Sequence, residues 1–250
     1  MYYHIISSGS KGNATIVVAN KTVILIDMGI TFVRLEEGFK EVNLSPSDIT
    51  GAIFTHNHSD HINGLKFIPI KKQYALEGTL PSSGHNVLNI FKPVYIGEIK
   101  VTPIKSSHDA INPCGYVLEH ENEKLVYLTD TGVFVDNNIE HCKNPTYVII
   151  ESNHDISMLY KTNRPMLLKQ RILSDVGHLC NEDSALATLQ FIGKDTKEIT
   201  LAHLSEEANT PQLALEAYNK VFKYFNIDTT KYNVRCANQW TSLTGGRYED

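Results

Sequence analysis

Residues 55–61 carry a dense group of side chains that can bind a metal ion. Three imidazoles and one carboxylate fall within six positions, although the whole chain has only 11 His in 250 residues. The four candidate ligands are His56, His58, Asp60 and His61. Imidazole nitrogen suits zinc, iron and manganese, and a hard carboxylate oxygen widens the range toward manganese. The segment therefore indicates a site for one metal ion, or for two if other residues complete the coordination.

The backbone around this cluster must turn to bring all four side chains together. In a regular strand His56, His58 and Asp60 would share one face, whereas His61 would point away. The apolar residues 51–54 directly before the cluster predict a strand. We therefore expect the cluster to form a loop at the end of that strand.

Three further candidate ligands stand where predicted strands end. His108 follows residues 101–107, Asp130 follows residues 125–129, and His203 follows residues 199–202. Strand ends are places where a rigid scaffold positions functional side chains. A single His at such a place is as often structural, so each of these residues alone is a weak signal.

The elements that must position these residues form a mixed α and β pattern. Apolar and alternating runs predict strands, and apolar spacings of three or four residues predict helices. Predicted strands cover residues 2–7, 14–19, 22–27, 51–54, a region near 74, several within 94–120, 125–128, 146–150, 198–202, and regions near 234 and 240. Predicted helices cover residues 32–42, 64–72 with an interruption at Pro69, a segment after Pro81, and residues 165–173, 182–191 and 211–225.

Length and composition are those of an ordinary globular protein. The chain of 250 residues can bury one substantial core, so we expect a single domain over residues 1–250. Apolar residues make up 42% and charged residues 20%, and no apolar run is long enough to span a bilayer. The N-terminus lacks a basic region leading into an apolar segment, so we predict a cytoplasmic protein without a membrane partner.

Cysteine spacing and net charge limit the other functions. The chain has four cysteines and no Cys-x-x-Cys pair, which argues against a zinc knuckle or a redox motif. The formal net charge of −5 gives no general attraction to nucleic acid. Binding of a polyanion would therefore need a local basic patch.

The pattern His-x-His-x-Asp-His after an apolar strand resembles the signature of the metallo-β-lactamase fold. The resemblance implies an α/β fold, the metallo-β-lactamase-like αββα four-layer sandwich, with two divalent metal ions, Mn or Zn. It implies that His56, His58 and His108 hold one ion, that Asp60, His61 and His203 hold the other, and that Asp130 bridges them. Asp27 is expected to orient a ligand, and His4 to be structural.

Two divalent ions about 3.5–4 Å apart can share a water molecule and lower its pKa toward about 7, which makes a bridging hydroxide available as the nucleophile. Hydrolysis is therefore the expected reaction class. The ions would also stabilise charge on a phosphodiester during in-line attack. The same hydroxide could attack the carbonyl of a lactone, thioester or β-lactam, so the metal site alone does not select the substrate.

Two polar segments are candidates for contacting the substrate. The first, residues 151–155, follows a predicted buried strand, and the second, residues 177–181, precedes a predicted helix whose free N–H groups favour an anion. The candidate substrate-binding residues are Asn153, His154, Asp155, His178 and Arg171. Alternatively, residues 153–155 cap the following helix and His178 only packs. Lys161, Arg164, Lys169 and Arg171 could form an electropositive strip or a solvated helix face.

Five segments together resemble the YycJ/WalJ group of metallo-β-lactamase-fold proteins: residues 7–13, 55–61, 108–110, 151–155 and 177–181. This similarity implies a 5′ to 3′ DNA exonuclease that acts on nucleic acid at DNA ends, with Asp60 and His178 as candidate catalytic residues. The group usually has Ser where Cys180 stands, and a thiol is a weaker donor. The alternative is a small-molecule hydrolase of the same fold that acts on a cyclic nucleotide or other phosphodiester, a thioester or a lactone.

Overall fold

Fourteen strands in two sheets form the centre of the computed structural model, which describes residues 1–81 and 83–247. The strands are Tyr2–Ser7 (β1), Ala14–Ala19 (β2), Thr22–Ile26 (β3), Gly51–Ile53 (β4), Gln73–Leu76 (β5), Asn86–Leu88 (β6), Val94–Ile96 (β7), Ile99–Lys105 (β8), Cys114–His120 (β9), Glu123–Leu128 (β10), Tyr147–Glu151 (β11), Glu198–Ala202 (β12), Asn233–Cys236 (β13) and Leu243–Gly246 (β14). Most of these segments consist of apolar and β-branched residues, which favour strands.

The α-helices pack outside the sheets. They are Phe32–Glu41 (α1), Ser59–Ile62 (α2), Ile139–Cys142 (α3), Ile156–Lys161 (α4), Met166–Ile172 (α5), Asn181–Leu189 (α6) and Pro211–Tyr224 (α7). The side chain of Thr31 accepts a hydrogen bond at the start of α1, and Thr210 does the same for α7. Such caps satisfy amide groups that have no partner within the helix.

Each sheet has seven strands and combines antiparallel with parallel pairing. The first has the order β14-β1-β2-β3-β4-β5-β6, and its parallel part runs from β3 to β6. The second has the order β13-β12-β11-β10-β9-β8-β7, and its parallel part runs from β10 to β13. Parallel neighbours end at the same edge of a sheet, so the loops that follow β3 and β4, and those that follow β10, β11 and β12, lie side by side.

Three layers of apolar side chains hold the sheets and helices together. One cluster includes Ile24 from the first sheet and Ile149 from the second, and therefore fills the space between the sheets. A second joins Leu25 to Phe39 of α1, and a third joins Ile150 to Phe222 of α7. The order helix, sheet, sheet, helix confirms the predicted αββα four-layer sandwich.

Some predicted elements were wrong. The segment after Pro81 was expected to be helical, but its described residues lead into β6, because Gly84 adopts a φ of +101° and residues 86–88 pair with β5. The helix expected at residues 64–72 is two 3₁₀ turns on either side of Pro69, which lacks the N–H needed to continue a helix. Trp240 lies in the loop before β14 rather than in a strand.

Within residues 1–81 and 83–247, the structure contains no helix with the length and apolar character that a membrane crossing requires.

Backbone contacts fasten the segment of candidate ligands, residues 55–61, to the loop before β2 and the loop after β3. The amide of Met28 donates to the carbonyl of His61, and the amide of Asn13 donates to the carbonyl of Asp60. A Cβ atom on Gly29 would overlap the backbone oxygen of Asp60. Position 29 therefore requires a residue without a side chain.

We expect Gly29→Ala to displace the segment around Asp60, lowering the free energy of unfolding by at least about 1–3 kcal/mol and reducing bound metal. Gly78→Ala is the control: it introduces strain at a φ of +74°, but its Cβ would meet only a side-chain carbon of Ile111 at 3.4 Å. Denaturant unfolding and elemental analysis measure the two effects. Full metal content in Gly29→Ala would contradict this account.

Candidate metal centre

The chain turns sharply after β4, as the ligand pattern required. His56 and His58 lie in the extended segment before α2, and the short helix α2 then turns His61 inward. The ring centroid of His56 lies 4.7 Å from that of His58 and 4.0 Å from that of His61. Asp60 Oδ2 lies 3.6 Å from His61 Nε2.

The three distant candidates reach the same place from the second sheet. The ring of His108 lies 5.1 Å from that of His56 and 5.0 Å from that of His58. Asp130 Oδ2 lies 3.3 Å from His61 Nε2, and Asp130 Oδ1 lies 3.5 Å from His203 Nε2. The structure thus brings together all seven residues that the sequence singled out.

The donor atoms fall into groups that could each hold one ion. His56, His58 and His108 offer three atoms within 4.8 Å of one another, and so do Asp60, His61 and His203. Asp130 forms a further such group with His56 and His61, which places its carboxylate between the two sets. The assignment of these residues as ligands, and of Asp130 as a bridge, stays a prediction.

Buried atoms without partners show that the side chains fit divalent cations. His56 Nε2, His203 Nε2 and Asp130 Oδ2 are buried and make no hydrogen bond within the protein, although Asp130 lies within ion-pair distance of His61 and His203. Buried polar atoms are normally paired, and leaving them unpaired is energetically unfavourable. All three belong to the donor groups, and nitrogen with carboxylate oxygen is the donor set that zinc or manganese prefers.

Hydrogen bonds on the outer side of the cluster orient the imidazoles. His61 Nδ1 lies 2.8 Å from Asp27 Oδ2, and His108 Nδ1 lies 3.0 Å from the carbonyl of Gly177. Asp27 also accepts hydrogen bonds from the amide and the hydroxyl of Thr55. Each contact occupies Nδ1 and leaves Nε2 facing the centre, as in sites where outer groups set the tautomer of a ligand.

Glu151 is a site residue that the sequence reasoning did not select. It is fully buried at the end of β11, and its Oε1 lies 3.0 Å from His203 Nδ1 and 2.7 Å from His178 Nδ1. Its Oε2 accepts from the amides of Thr131 and Leu179. The available signal was an acidic residue ending an otherwise apolar strand within the polar segment 151–155.

Three site residues adopt left-handed backbone conformations. The φ angles are 59° for Asp27, 55° for Asp130 and 55° for His203. Asp27 and His203 directly follow β3 and β12, and Asp130 lies two residues beyond β10; in each place this conformation reverses the chain and turns the side chain toward the centre. Non-glycine residues rarely adopt such angles, and strain of this kind often accompanies functional sites.

The first polar segment supports the site more than it lines a substrate cleft. Asn153 is buried, and its side-chain amide donates to the backbone carbonyl of His203. Asp155 caps α4 by accepting from the amide of Met158, which is the alternative that the sequence allowed. His154 is buried with both ring nitrogens unpaired, and burial lowers its pKa to about 4. The substrate roles of these residues stay predictions.

The expected electropositive strip is largely neutralised. The carboxylate of Asp109 accepts from Arg171 Nη2 at 2.8 Å, and Arg164 is paired with Glu207. Lys169 is buried and donates to main-chain carbonyls. Three of the four cations thus have partners within the protein, which weakens the interpretation as an electropositive strip, and the substrate role of Arg171 stays a prediction.

His178 stands at the mouth of the cluster. Its ring centroid lies 5.1 Å from that of His108 and 5.3 Å from that of His203, and its side chain is 15% exposed. Because Nδ1 is engaged by Glu151, Nε2 is the nitrogen available to a bound molecule.

Charge compensation inside the cluster shifts several pKa values. Burial disfavours the charged forms, but His203 and His61 hold the pKa of Asp130 well below its usual range. His178 likewise overcomes burial and lowers the pKa of Glu151 to about 2. The two carboxylates in turn raise the pKa of His203 to about 9 against the effect of burial.

Comparison with known proteins gives the chain its family. Residues 22–203 match the family model described as "Beta-lactamase superfamily domain". The chain belongs to the β-lactamase superfamily. Its relatives include "Exodeoxyribonuclease YycJ" of Bacillus anthracis, 36% identical over 89% of each chain. Another is "Exodeoxyribonuclease WalJ" of Streptococcus pneumoniae, 36% identical over 85% of this chain and 84% of the relative.

A solved structure shows the same architecture. The metallo-β-lactamase fold protein YhfI from Bacillus subtilis superposes with a TM-score of 0.71 over 97% of this chain and 98% of its own, at 16% identity. Membership of the β-lactamase superfamily makes this chain a metal-dependent hydrolase of the metallo-β-lactamase fold. Divalent metal ions are therefore its expected cofactors, and the buried His and Asp donors are where they would bind.

We expect Glu151→Gln to weaken metal binding by about 10- to 100-fold, because the neutral side chain loses the charge beside His203 and its NH2 group would face the amides of Thr131 and Leu179. Competition with a chromophoric chelator measures the affinity. The control is Glu119→Gln on β9, which removes a carboxylate paired with Lys100 of β8. An affinity equal to that of the unaltered protein would rule out this role for Glu151.

Metal binding should release protons near neutral pH. His203, with a pKa of about 9, carries a proton in the metal-free protein below that pH, whereas an ion requires its lone pair. The apparent affinity should therefore rise with pH, by about tenfold per unit for each displaced proton. Titration calorimetry between pH 6.5 and 8, in buffers of different protonation enthalpy, counts the protons, and a heat independent of the buffer would contradict the prediction.

Proposed function

We propose that the protein is a binuclear metal-dependent phosphodiesterase that degrades DNA from its ends in the 5′ to 3′ direction. The observation that carries the proposal is the pair of three-residue donor groups on either side of Asp130. Two relatives with 36% identity over most of their length carry the name exodeoxyribonuclease, which supports DNA as the substrate. The choice of manganese or zinc and the cytoplasmic location stay predictions.

The chemistry follows from what the donor groups would hold. Two bound divalent ions would supply a hydroxide nucleophile at neutral pH and would stabilise negative charge on the phosphoryl oxygens. Asp60 lies at the outer side of the cluster with its side chain 23% exposed, and its carboxylate can both bind an ion and orient the attacking water. Asp27 and Glu151 keep the imidazoles in position during turnover by holding their Nδ1 atoms.

His178 is placed to act on the phosphodiester itself. Its Nδ1 is held by the buried carboxylate of Glu151, so Nε2 points to the open side of the centre. We propose that an N–H at Nε2 donates a hydrogen bond to the phosphodiester and gives its proton to the leaving oxygen as the P–O bond breaks, which leaves Nε2 unprotonated. A histidine oriented by a carboxylate is well suited to such a step near neutral pH.

We also propose that residues 1–250 fold as one domain. The apolar cluster between the sheets takes residues from both, and the ligand candidates come from both. Neither sheet alone would contain a complete site.

Hydrolysis of end-labelled DNA by the metal-loaded protein tests the proposal. We expect nucleotides to be released from a strand with a labelled 5′ end, and His108→Ala to lower the rate at least about 100-fold by removing one donor. His120→Ala is the control, because His120 lies at the end of β9 and interacts with Glu98 away from the centre. End-labelled DNA that stays at full length with fully metal-loaded protein would refute the nuclease assignment.

The second candidate function is a small-molecule hydrolase of the same fold. The ion pairs that occupy Arg164 and Arg171 favour it, because they leave fewer free cations for a long polyanion. A panel of bis-p-nitrophenyl phosphate, a thioester and a lactone distinguishes the two. Turnover of a panel member together with inert DNA would establish this alternative.

A further inference from the structure

Trp240 is an exposed aromatic side chain in the loop between β13 and β14. The indole is the only Trp in the sequence, and 62% of it is exposed. It lies between two clefts of about 290 and 250 Å³, and both clefts include Trp240 in their walls. A large exposed aromatic ring between two clefts is a candidate binding surface.

The ring is held in one orientation. Its Nε1 donates to Glu206 Oε1 at 2.6 Å, and Lys11 Nζ, paired with Glu206 Oε2 at 2.8 Å, lies 5.0 Å from the ring centroid. The backbone amide of Trp240 donates to the side chain of Asn238. The ring stays mostly exposed even though its edge and one face have partners, so a flat surface is available to solvent.

The segments of Lys11 and Glu206 both adjoin residues of the metal centre. Glu206 is three residues beyond His203, which limits the distance between their Cα atoms to about 11 Å. Lys11 belongs to the loop in which Ser8 accepts from the amide of His203 and Asn13 lies 3.0 Å from His61 Nε2. The first cleft also includes Leu204, which directly follows His203, and the second includes Gly29, which packs on Asp60, so the indole lies beside segments that flank the centre.

The charges around the indole favour a base over a phosphate as its partner. Lys11 is already paired with Glu206, and the chain as a whole has a net charge of −5. Aromatic side chains bind single-stranded nucleic acid by stacking on bases, and this works for any sequence because every base has a π face. Stacking requires an unpaired base, as occurs at a frayed or single-stranded end.

We propose that Trp240 is a stacking platform for an unpaired nucleobase of the DNA strand that enters the metal centre. Lys11 and Glu206 position the platform by holding the edge and one face of the indole. This inference rests on the proposed function, since it names the form in which that substrate is bound: a strand end with at least one unpaired base.

Intrinsic fluorescence tests the contact directly, because all tryptophan emission comes from this residue. Zinc-loaded protein is titrated with a single-stranded oligodeoxynucleotide whose phosphorothioate linkages slow hydrolysis. We expect the strand to quench the emission, and a strand of abasic residues at equal concentration to quench it far less. Equal quenching by both strands, or no quenching at all, would overturn the proposal.

Kinetics on single-stranded DNA give a second test. Trp240→Ala should raise KM by about 5- to 100-fold, the range that the loss of one stacked base produces, with a smaller change in kcat. Trp240→Phe keeps an aromatic face and should recover much of the loss. Tyr95→Ala is the matched control, because Tyr95 is 72% exposed on β7, at the opposite edge of the second sheet from β13.

The two proposals fail in different ways. If DNA is hydrolysed and Trp240→Ala has the KM of the unaltered protein, the stacking platform is refuted and the nuclease stands. If DNA is not hydrolysed but the strand with bases quenches and the abasic strand does not, the platform stands and the nuclease assignment is refuted.

Discussion

The structure depends on concentrating five imidazoles and two carboxylates in one largely buried space. So many inward-facing donor atoms are stable together only where bound cations can interact with them. Hydrogen bonds on the outer side must also hold the imidazole rings in place. Asp27 and Glu151 provide those outer bonds for His61 and His203. These two buried carboxylates are thus as necessary to the arrangement as the donors themselves.

The fold meets this requirement through the way the two sheets are joined. Parallel pairing of β3 with β4, and of β10 with β11 and β12, makes the loops after these strands end together. The apolar cluster between the sheets then fixes one set of loops against the other. The same geometry brings the loop of Lys11 against His203 and His61, through Ser8 and Asn13.

The mixed α and β pattern and the seven candidate donors could be predicted because their signals are local, whereas the four-layer arrangement was implied by the family resemblance. A His-rich loop after an apolar strand is visible in the sequence, and so is an Asp or His at the end of one. The pairing partners of charged side chains are not local: Arg171 meets Asp109 and Arg164 meets Glu207 across more than 40 residues. For that reason the strip predicted from a run without acidic residues did not form as a free surface. The role of Glu151 in orienting two histidines could not be predicted either, because both histidines are distant from it in sequence.

The left-handed backbone at Asp27, Asp130 and His203 limits which amino acids these positions can exchange. Asp and Asn enter this region readily, whereas β-branched residues do so only with considerable strain. Substitutions at these positions that keep the backbone conformation would therefore introduce Asn or Gly more readily than a bulkier residue. Chemical requirement and backbone shape thus select the same small set of side chains, which narrows the routes by which this centre could evolve toward a different metal or reaction.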